Sequence, residues 1–190
     1  LALSERGLHA LREVGLADEV LKAVIPMPGR MIHSLDGSLH FQAYSKDSND
    51  RINSVSRAGL NAILLNAAAS YPNVRLLFDH RCVAIDFANT SVTFDHARTN
   101  MQVTVDASRI IGADGAFSAV RLQIMLRMDR FDYQQSILEH GYKELTIPPA
   151  AACGVDSNRF DGFAMNPNAL HIWPRGGFMM IALPNQDKSF

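Results

Sequence analysis

Two polar residues lie on either side of a predicted hairpin turn. Arg30 and Tyr44 flank the pair Asp36-Gly37, which is a strong signal for a two-stranded hairpin. If the chain folds back there, both side chains can lie on one sheet face and present a guanidinium and a phenol to one site. Such a pair is suited to binding a carboxylate. From the pattern alone, a surface arginine and a half-buried strand tyrosine remain the favoured interpretation.

A second candidate site lies where an apolar segment meets a helix start. Residues 109–112 predict a buried strand, Asp114 and Gly115 a turn, and residues 118–126 a helix. The free amides and the positive end of that helix would suit a phosphate, and Asp114 could accept hydrogen bonds from ribose hydroxyls. The alternative, favoured on spacing alone, is an ordinary strand-to-helix turn in which Asp114 caps the helix.

An alternating strand supplies further candidate residues. Met179, Ile181 and Leu183 alternate along residues 178–183, so they would point to the same side of a sheet. A core face is the default interpretation, and the wall of a pocket for an aromatic ligand is the more specific one.

Other kinds of site have little support in the sequence. The seven histidines form no His-Glu-x-x-His motif and the cysteines no Cys-x-x-Cys motif, so no metal site is predicted. There is no Gly-x-Ser-x-Gly elbow, which disfavours a hydrolase. Cys82 and Cys153 lack an activating pattern and are interpreted as inert buried thiols.

Composition narrows the class of protein. The hydrophobic fraction is 47%, which is enough for a core, and a net charge of −1 argues against a basic nucleic-acid-binding surface. Two cysteines are too few for a disulfide scaffold, and no apolar run approaches the ~20 residues of a membrane span. A cytoplasmic location is therefore the default. A start without Met and an end just after a strand-like run lead us to expect an internal segment of a longer protein.

The order of predicted elements indicates an α/β (α+β) fold. Its first part, residues 1–130, contains the hairpin, a polar loop at 46–51, a helix capped by Ser56, buried strands at 74–78 and 109–112, and a three-stranded meander between them. Its second part, residues 131–190, is mainly antiparallel, with strands predicted at 138–147, 169–173 and 178–183.

Several segments together resemble a known family. They are LALSERG (1–7), PMPGRMIHSLDG (26–37), SVSRAGLN (54–61), IIGADGAFSAVR (110–121), HGYKEL (140–145), NALHIWPRG (168–176) and IALPN (181–185). Over essentially its whole length, the chain resembles the FAD-dependent aromatic hydroxylases built like p-hydroxybenzoate hydroxylase. HGYKEL and ALHIWPRG point to the branch that hydroxylates kynurenine. The chain looks more like the bacterial form of that branch than the animal one.

The resemblance implies an incomplete Rossmann-like FAD-binding layer over residues 1–130, with a substrate-contacting hairpin near 29–45, and the start of an antiparallel substrate domain over 131–190. It implies that Arg30 and Tyr44 hold the carboxylate of L-kynurenine. The resemblance therefore favours a carboxylate site over the surface interpretation that the pattern alone favoured. The residues implied to line the pocket around the substrate ring are Leu170, Met179, Ile181 and Leu183.

The resemblance also implies FAD as cofactor, NADPH as electron donor and O2 as co-substrate, in hydroxylation to 3-hydroxykynurenine during tryptophan catabolism. The residues implied to contact FAD are Ala2, Arg57, Cys82, Asp114, Gly115 and Ala119. The flavin carries the chemistry, so no catalytic side chain is assigned here. A homodimer is the implied assembly. The glycine-rich pyrophosphate motif of the family is absent from these residues, so the chain alone is expected to be inactive.

Two other functions stay open at this point. One is another FAD-dependent aromatic hydroxylase or a flavin reductase, because the Asp-Gly motif is shared and a different substrate need not meet an Arg/Tyr pair. The other is a truncated product without catalytic activity, which the missing glycine motif favours for these 190 residues taken literally.

Overall fold

Short helices and strands follow one another along the whole chain. The computed structural model describes residues 1–47 and 50–190, and its elements are β1 (Ala2–Leu3), α1 (Glu5–Glu13), α2 (Ala17–Leu21), β2 (Ile25–Met27), β3 (Gly29–His33), β4 (Leu39–Ala43), β5 (Ile52–Ser54), α3 (Arg57–Ala69), β6 (His80–Asp86), β7 (Ser91–His96), β8 (Gln102–Asp106), α4 (Ala119–Arg127), α5 (Ala150–Cys153), β9 (Leu170–Arg175) and β10 (Phe178–Ala182). Ser48 and Asn49, in the predicted polar loop, lie outside the described residues.

These elements divide into two units. The first comprises residues 1–74 and 142–190, and the second comprises residues 75–141. The fold is mixed α/β with antiparallel and mixed sheets, as predicted. The predicted division at residue 130 separates an FAD-binding domain from a substrate domain in a longer protein. It is a different kind of division from these two units and stays a prediction.

A four-stranded sheet dominates the first unit. Its strand order is β10-β9-β3-β4, with β3 and β9 parallel and the other two pairs antiparallel. The hairpin predicted at Asp36-Gly37 is confirmed: Ser34 N donates to Ser38 O at 3.0 Å, and Gly37 adopts a φ of +85°. A left-handed φ at this turn favours glycine, because a Cβ would clash with the backbone there.

A small hydrophobic core joins helices and strands elsewhere in the first unit. Leu8 and Leu11, on one side of α1, pack with Leu3, Val20 and Val55. α3 begins as predicted after Ser56, whose Oγ accepts a hydrogen bond from Gly59 N at 3.2 Å. That bond satisfies one of the amides left free at the helix start.

The second unit is an antiparallel meander with one helix. Its strands run in the order β6-β7-β8, as the alternation of residues predicted, and α4 contacts β6. Ile85 and Val92 are buried in this unit. The side-chain hydroxyl of Ser118 accepts a hydrogen bond from Arg121 N at 3.0 Å and so caps α4.

Three predicted strands are wrong. Residues 74–78, 109–112 and 138–147 form no strand, and Ile111 is 87% exposed and Leu138 82% exposed. A buried strand needs hydrogen-bonded neighbours, and no strand of the described part of the chain pairs with these segments. At the end of the third segment, Ile147 does exchange two backbone hydrogen bonds with Phe190. Among the described strands, the β3–β9 pair alone is parallel.

Candidate functional site

The register of the four-stranded sheet places distant residues side by side. Arg30 lies opposite Gln42 on β4 and opposite Leu170 on β9. Two residues further along, Ile32 lies beside Ile172, which in turn lies opposite Ile181 on β10. Because side chains alternate along a strand, these residues share one face of the sheet. Met179, two positions before Ile181, belongs to the same face.

The two faces of this sheet differ in burial. On the opposite face His171 and Ala182 are buried, and that face packs with Phe163 and Phe190. Met179 is 63% exposed and Ile181 is 41% exposed on the open face. The default interpretation of these alternating residues as a core face is therefore wrong. Leu183, beyond the end of β10, is half-buried and so is Leu170.

Arg30 and Tyr44 are brought into proximity at one end of this open face. Tyr44 directly follows β4, and its backbone N–H donates to Pro28 O at 3.1 Å, which continues the strand pairing by one step. Burial raises the pKa of the Tyr44 phenol, and the positive charge of Arg30 opposes that rise. Both residues are half-buried, which confirms the half-buried strand position expected for Tyr44.

The hydroxyl of Tyr44 is buried and has no hydrogen-bond partner among the described residues. Tyr44 Oη is inaccessible to solvent and, among the described residues, makes no hydrogen bond. A buried hydroxyl without a partner is uncommon, because it has lost water and gained nothing in return. An acceptor brought by a ligand would satisfy it. With the Arg30 guanidinium nearby, the suitable acceptor is an anionic oxygen such as a carboxylate.

Asp114 acts as a helix cap in the second unit. Its Oδ2 accepts hydrogen bonds from Ala119 N at 2.7 Å and Val120 N at 3.2 Å, and its Oδ1 accepts one from Ser118 Oγ. These bonds, the one from Ser118 foremost, lower the pKa of the Asp114 carboxyl. The favoured alternative, in which Asp114 caps the helix, is confirmed, because its carboxylate accepts hydrogen bonds from the Ala119 and Val120 amides. The contact of Ala119 with FAD stays a prediction.

The turn around Asp114 has little room on one side and open space on the other. A Cβ at Gly112 would lie 2.8 Å from Val120 Cβ, so glycine permits the close approach of this segment to α4. Gly115 adopts a φ of +81°, and no atom lies within 4 Å of where its Cβ would be. The backbone at Gly115 is therefore accessible to a ligand.

The remaining predicted cofactor contacts differ in accessibility. Arg57 is exposed at the start of α3 and makes no ion pair among the described residues, so its guanidinium is available to an anionic group. Ala2 is exposed on β1 opposite Ser54. Cys82 is half-buried on β6, and burial and the charge of Asp114 raise the pKa of its thiol, which is therefore neutral near pH 7. Cys153 is exposed, contrary to its interpretation as buried.

Each unit by itself carries one feature that suits the predicted FAD. The first unit offers the uncommitted cation of Arg57, and the second offers the open backbone at Gly115 on a loop held by Asp114. Among the described residues, no cluster of His, Cys, Asp or Glu could hold a metal ion. The sequence does not single out Gln42: a two-residue turn at Asp36-Gly37 would place Ala43 opposite Arg30, whereas the chain forms a three-residue loop with Ser34 opposite Ser38, which places Gln42 there.

Comparison with known proteins identifies the family. Residues 1–175 match the family described as FAD binding domain. The chain belongs to the FAD binding domain family. The predicted kinship with FAD-dependent hydroxylases is thereby confirmed at the level of the fold and the flavin.

Curated relatives are similar to this chain over its full length. Over 190 residues it is 50% identical to a kynurenine 3-monooxygenase of Dictyostelium discoideum, 47% to one of Anopheles gambiae and 45% to one of Myxococcus xanthus. All of this chain is matched, but it spans only 38%, 37% and 39% of the respective relatives. These identities do not separate a bacterial from an animal type, so the bacterial type stays a prediction.

Solved structures agree on the fold. The flavin-dependent monooxygenase PieE, in complex with FAD and substrate, superposes with a TM-score of 0.65 at 19% identity, over 96% of this chain and 33% of that one. A salicylate hydroxylase substrate complex gives a TM-score of 0.54 at 13% identity, over 99% and 45%. Within the described residues, no helix has the length and apolar character needed to cross a membrane.

Proposed function

We propose that this FAD binding domain chain serves an FAD- and NADPH-dependent monooxygenase that converts L-kynurenine and O2 to 3-hydroxykynurenine. The observation that carries the proposal is the buried Tyr44 hydroxyl, which lies near Arg30 on the open sheet face and has no hydrogen-bond partner among the described residues. This pair supplies a hydrogen-bond donor and a positive charge where an amino-acid carboxylate would need both. The 50% identity to a kynurenine 3-monooxygenase supports the choice of substrate.

In this proposal the described residues bind and orient the substrate. Arg30 and Tyr44 hold the carboxylate, so that losing either weakens binding more than it slows the chemistry. The apolar side chains proposed to pack against the aromatic ring and exclude water are Leu170, Met179, Ile181 and Leu183.

FAD, when bound and reduced by NADPH, would activate O2 for hydroxylation of the ring. The proposed contacts to this cofactor are Ala2, Arg57, Cys82, Asp114, Gly115 and Ala119. Arg57 would contribute charge and Gly115 accessible backbone, whereas Asp114 would act by holding its loop against α4. A homodimer and a cytoplasmic location stay predictions.

A substrate panel tests the proposal. The complete gene product carrying this chain is purified, its absorbance spectrum is recorded for bound flavin, and NADPH oxidation is followed with L-kynurenine, salicylate and p-hydroxybenzoate. We expect a flavin spectrum and a 3-hydroxykynurenine product with L-kynurenine alone. Bound flavin with hydroxylation of another aromatic acid, but not of L-kynurenine, would refute the substrate, and a colourless protein that binds no added FAD would refute the cofactor.

A further inference from the structure

A cross-strand hydrogen bond fixes the Arg30 side chain. Gln42 lies directly opposite Arg30 in the antiparallel β3–β4 pair, and Arg30 Nε donates to Gln42 Oε1 at 2.9 Å. Directly opposite residues on one face of a sheet are the natural partners for such contacts. This bond uses the Nε–H of the guanidinium. The Nη1 and Nη2 groups form no hydrogen bond among the described residues, so both are free to bind the two oxygens of a carboxylate.

Gly29, the residue before Arg30, leaves no room for a side chain against β4. A Cβ at Gly29 would lie 2.5 Å from Gln42 O and 2.6 Å from Phe41 Cζ, so a side chain there would push β4 away. Glycine next to Arg30 therefore permits the tight strand pairing that holds Gln42 within reach. Two adjacent residues of β3 therefore support the contact: Arg30 makes the hydrogen bond, and Gly29 allows β4 to lie close enough for it.

The neutrality of Gln42 matters as much as its position. Arg30 has no ion-pair partner among the described side chains, so its positive charge is not offset. His40, the next residue on this face of β4, is hydrogen-bonded to Ser38 Oγ. A carboxamide orients the guanidinium without neutralising it, whereas a glutamate of similar size would compete with an incoming carboxylate for the same donors.

We propose that Gln42 is a positioning residue for carboxylate recognition, because it directs the free Nη groups of Arg30 toward the substrate and leaves their charge uncompensated. The inference rests on the proposed function, since it concerns the same carboxylate of L-kynurenine. Gln42 itself does not contact the reacting ring. Its effect should accordingly be on the KM for the substrate, with kcat nearly unchanged.

Two substitutions test Gln42 in the complete gene product. Gln42→Glu should raise the KM for L-kynurenine about 10- to 100-fold, because its carboxylate pairs with Arg30 and competes with that of the substrate. Gln42→Leu removes the orienting bond but keeps the charge, so KM should rise only about 3- to 10-fold. In both variants kcat should stay within about twofold of the wild type, since the reacting ring is not touched.

A matched control and a stability measurement separate this role from a structural one. Gln134→Glu makes the same charge change at an exposed position and should leave KM and kcat unchanged. Gln42→Glu should melt no lower than the wild type, since the new ion pair favours the strand pairing. A KM for Gln42→Glu equal to that of the control, or a loss in kcat with a lowered melting temperature, would overturn the inference. If the wild type itself does not act on L-kynurenine, the proposed function fails first.

Discussion

Replacing Tyr44 by Phe should act in opposite directions on folding and on binding. In the unliganded chain Tyr44 Oη is buried and has no partner among the described residues, so its removal breaks no hydrogen bond. In the proposed complex the same hydroxyl donates to the substrate carboxylate. One substitution therefore separates a ligand-binding hydroxyl from a structural one.

The magnitudes follow from the two environments. A buried polar group without a partner carries a desolvation cost of about 1–3 kcal/mol, part of which Phe recovers. We expect the free energy of unfolding without substrate to be unchanged or to rise by up to about 1 kcal/mol. A hydrogen bond to a charged group contributes about 1.5–3 kcal/mol, so the Kd for L-kynurenine should rise about 10- to 150-fold.

Two measurements on the complete gene product check this prediction. Urea unfolding without substrate gives the stability, and isothermal titration with L-kynurenine gives the Kd. Tyr71→Phe is the matched control, because Tyr71 is 59% exposed and its hydroxyl should matter to neither measurement. The reasoning is refuted if Tyr44→Phe destabilises the protein by more than about 1 kcal/mol and binds substrate as tightly as the control does.

Three further predictions concern the charge of Arg30, the cap of α4 and the buried histidines. Arg30→Ala should raise the KM for L-kynurenine about 10- to 100-fold in steady-state assays, and Arg30→Lys should recover only part of this, because an ammonium lacks the planar fork of donors. Ser118→Ala should lower the free energy of unfolding by about 1 kcal/mol in urea titrations, because the α4 cap is lost. Burial lowers the pKa of His33 and His171, so the unfolded chain binds protons first and stability should fall as pH drops below about 6.5. Urea midpoints between pH 7.5 and pH 5 measure this loss.

A specific result would contradict each of these three predictions. An unchanged KM for Arg30→Ala would remove its role at the carboxylate. Equal stability of Ser118→Ala and the wild type would mean that Asp114 alone holds the helix start. His171 is the more buried histidine, with its Nδ1 2.7 Å from His33 Nε2 and its Nε2 2.8 Å from Asn166 O. Replacing it by Gln should flatten the pH dependence, and an unchanged dependence would contradict the histidine origin.

Much of the local structure could be predicted because short-range chemistry specifies it. The Asp36-Gly37 turn, the start of α3 after Ser56 and the three-stranded meander all formed where turn residues, caps and alternation indicated. The proximity of Arg30 and Tyr44 could also be predicted, because both residues belong to one hairpin. Their shared face could not, because it depends on a one-residue difference in register that the Asp36-Gly37 pair alone does not specify.

Segments that depend on distant partners could not be predicted in the same way. Residues 109–112 and 138–147 have strand-like composition, but a strand exists only where another strand pairs with it, and none in the described chain does. The function of Asp114 was likewise ambiguous, because the same Asp-Gly turn can serve a ligand or cap a helix. The hydrogen bonds to Ala119 and Val120 identify it as a cap.

The sequence by itself determined which side chains could bind a carboxylate and which turn would bring them together. Only the tertiary structure decided that β9 lies parallel to β3, which sets Leu170 beside Arg30. It alone also decided that the Tyr44 hydroxyl is buried with no partner among the described residues. A turn constrains residues a few positions apart through local geometry, whereas burial and parallel pairing arise from segments far apart in the chain. Contacts between such segments depend on which strands pair in the sheet and what packs against its buried face. No local sequence pattern encodes that.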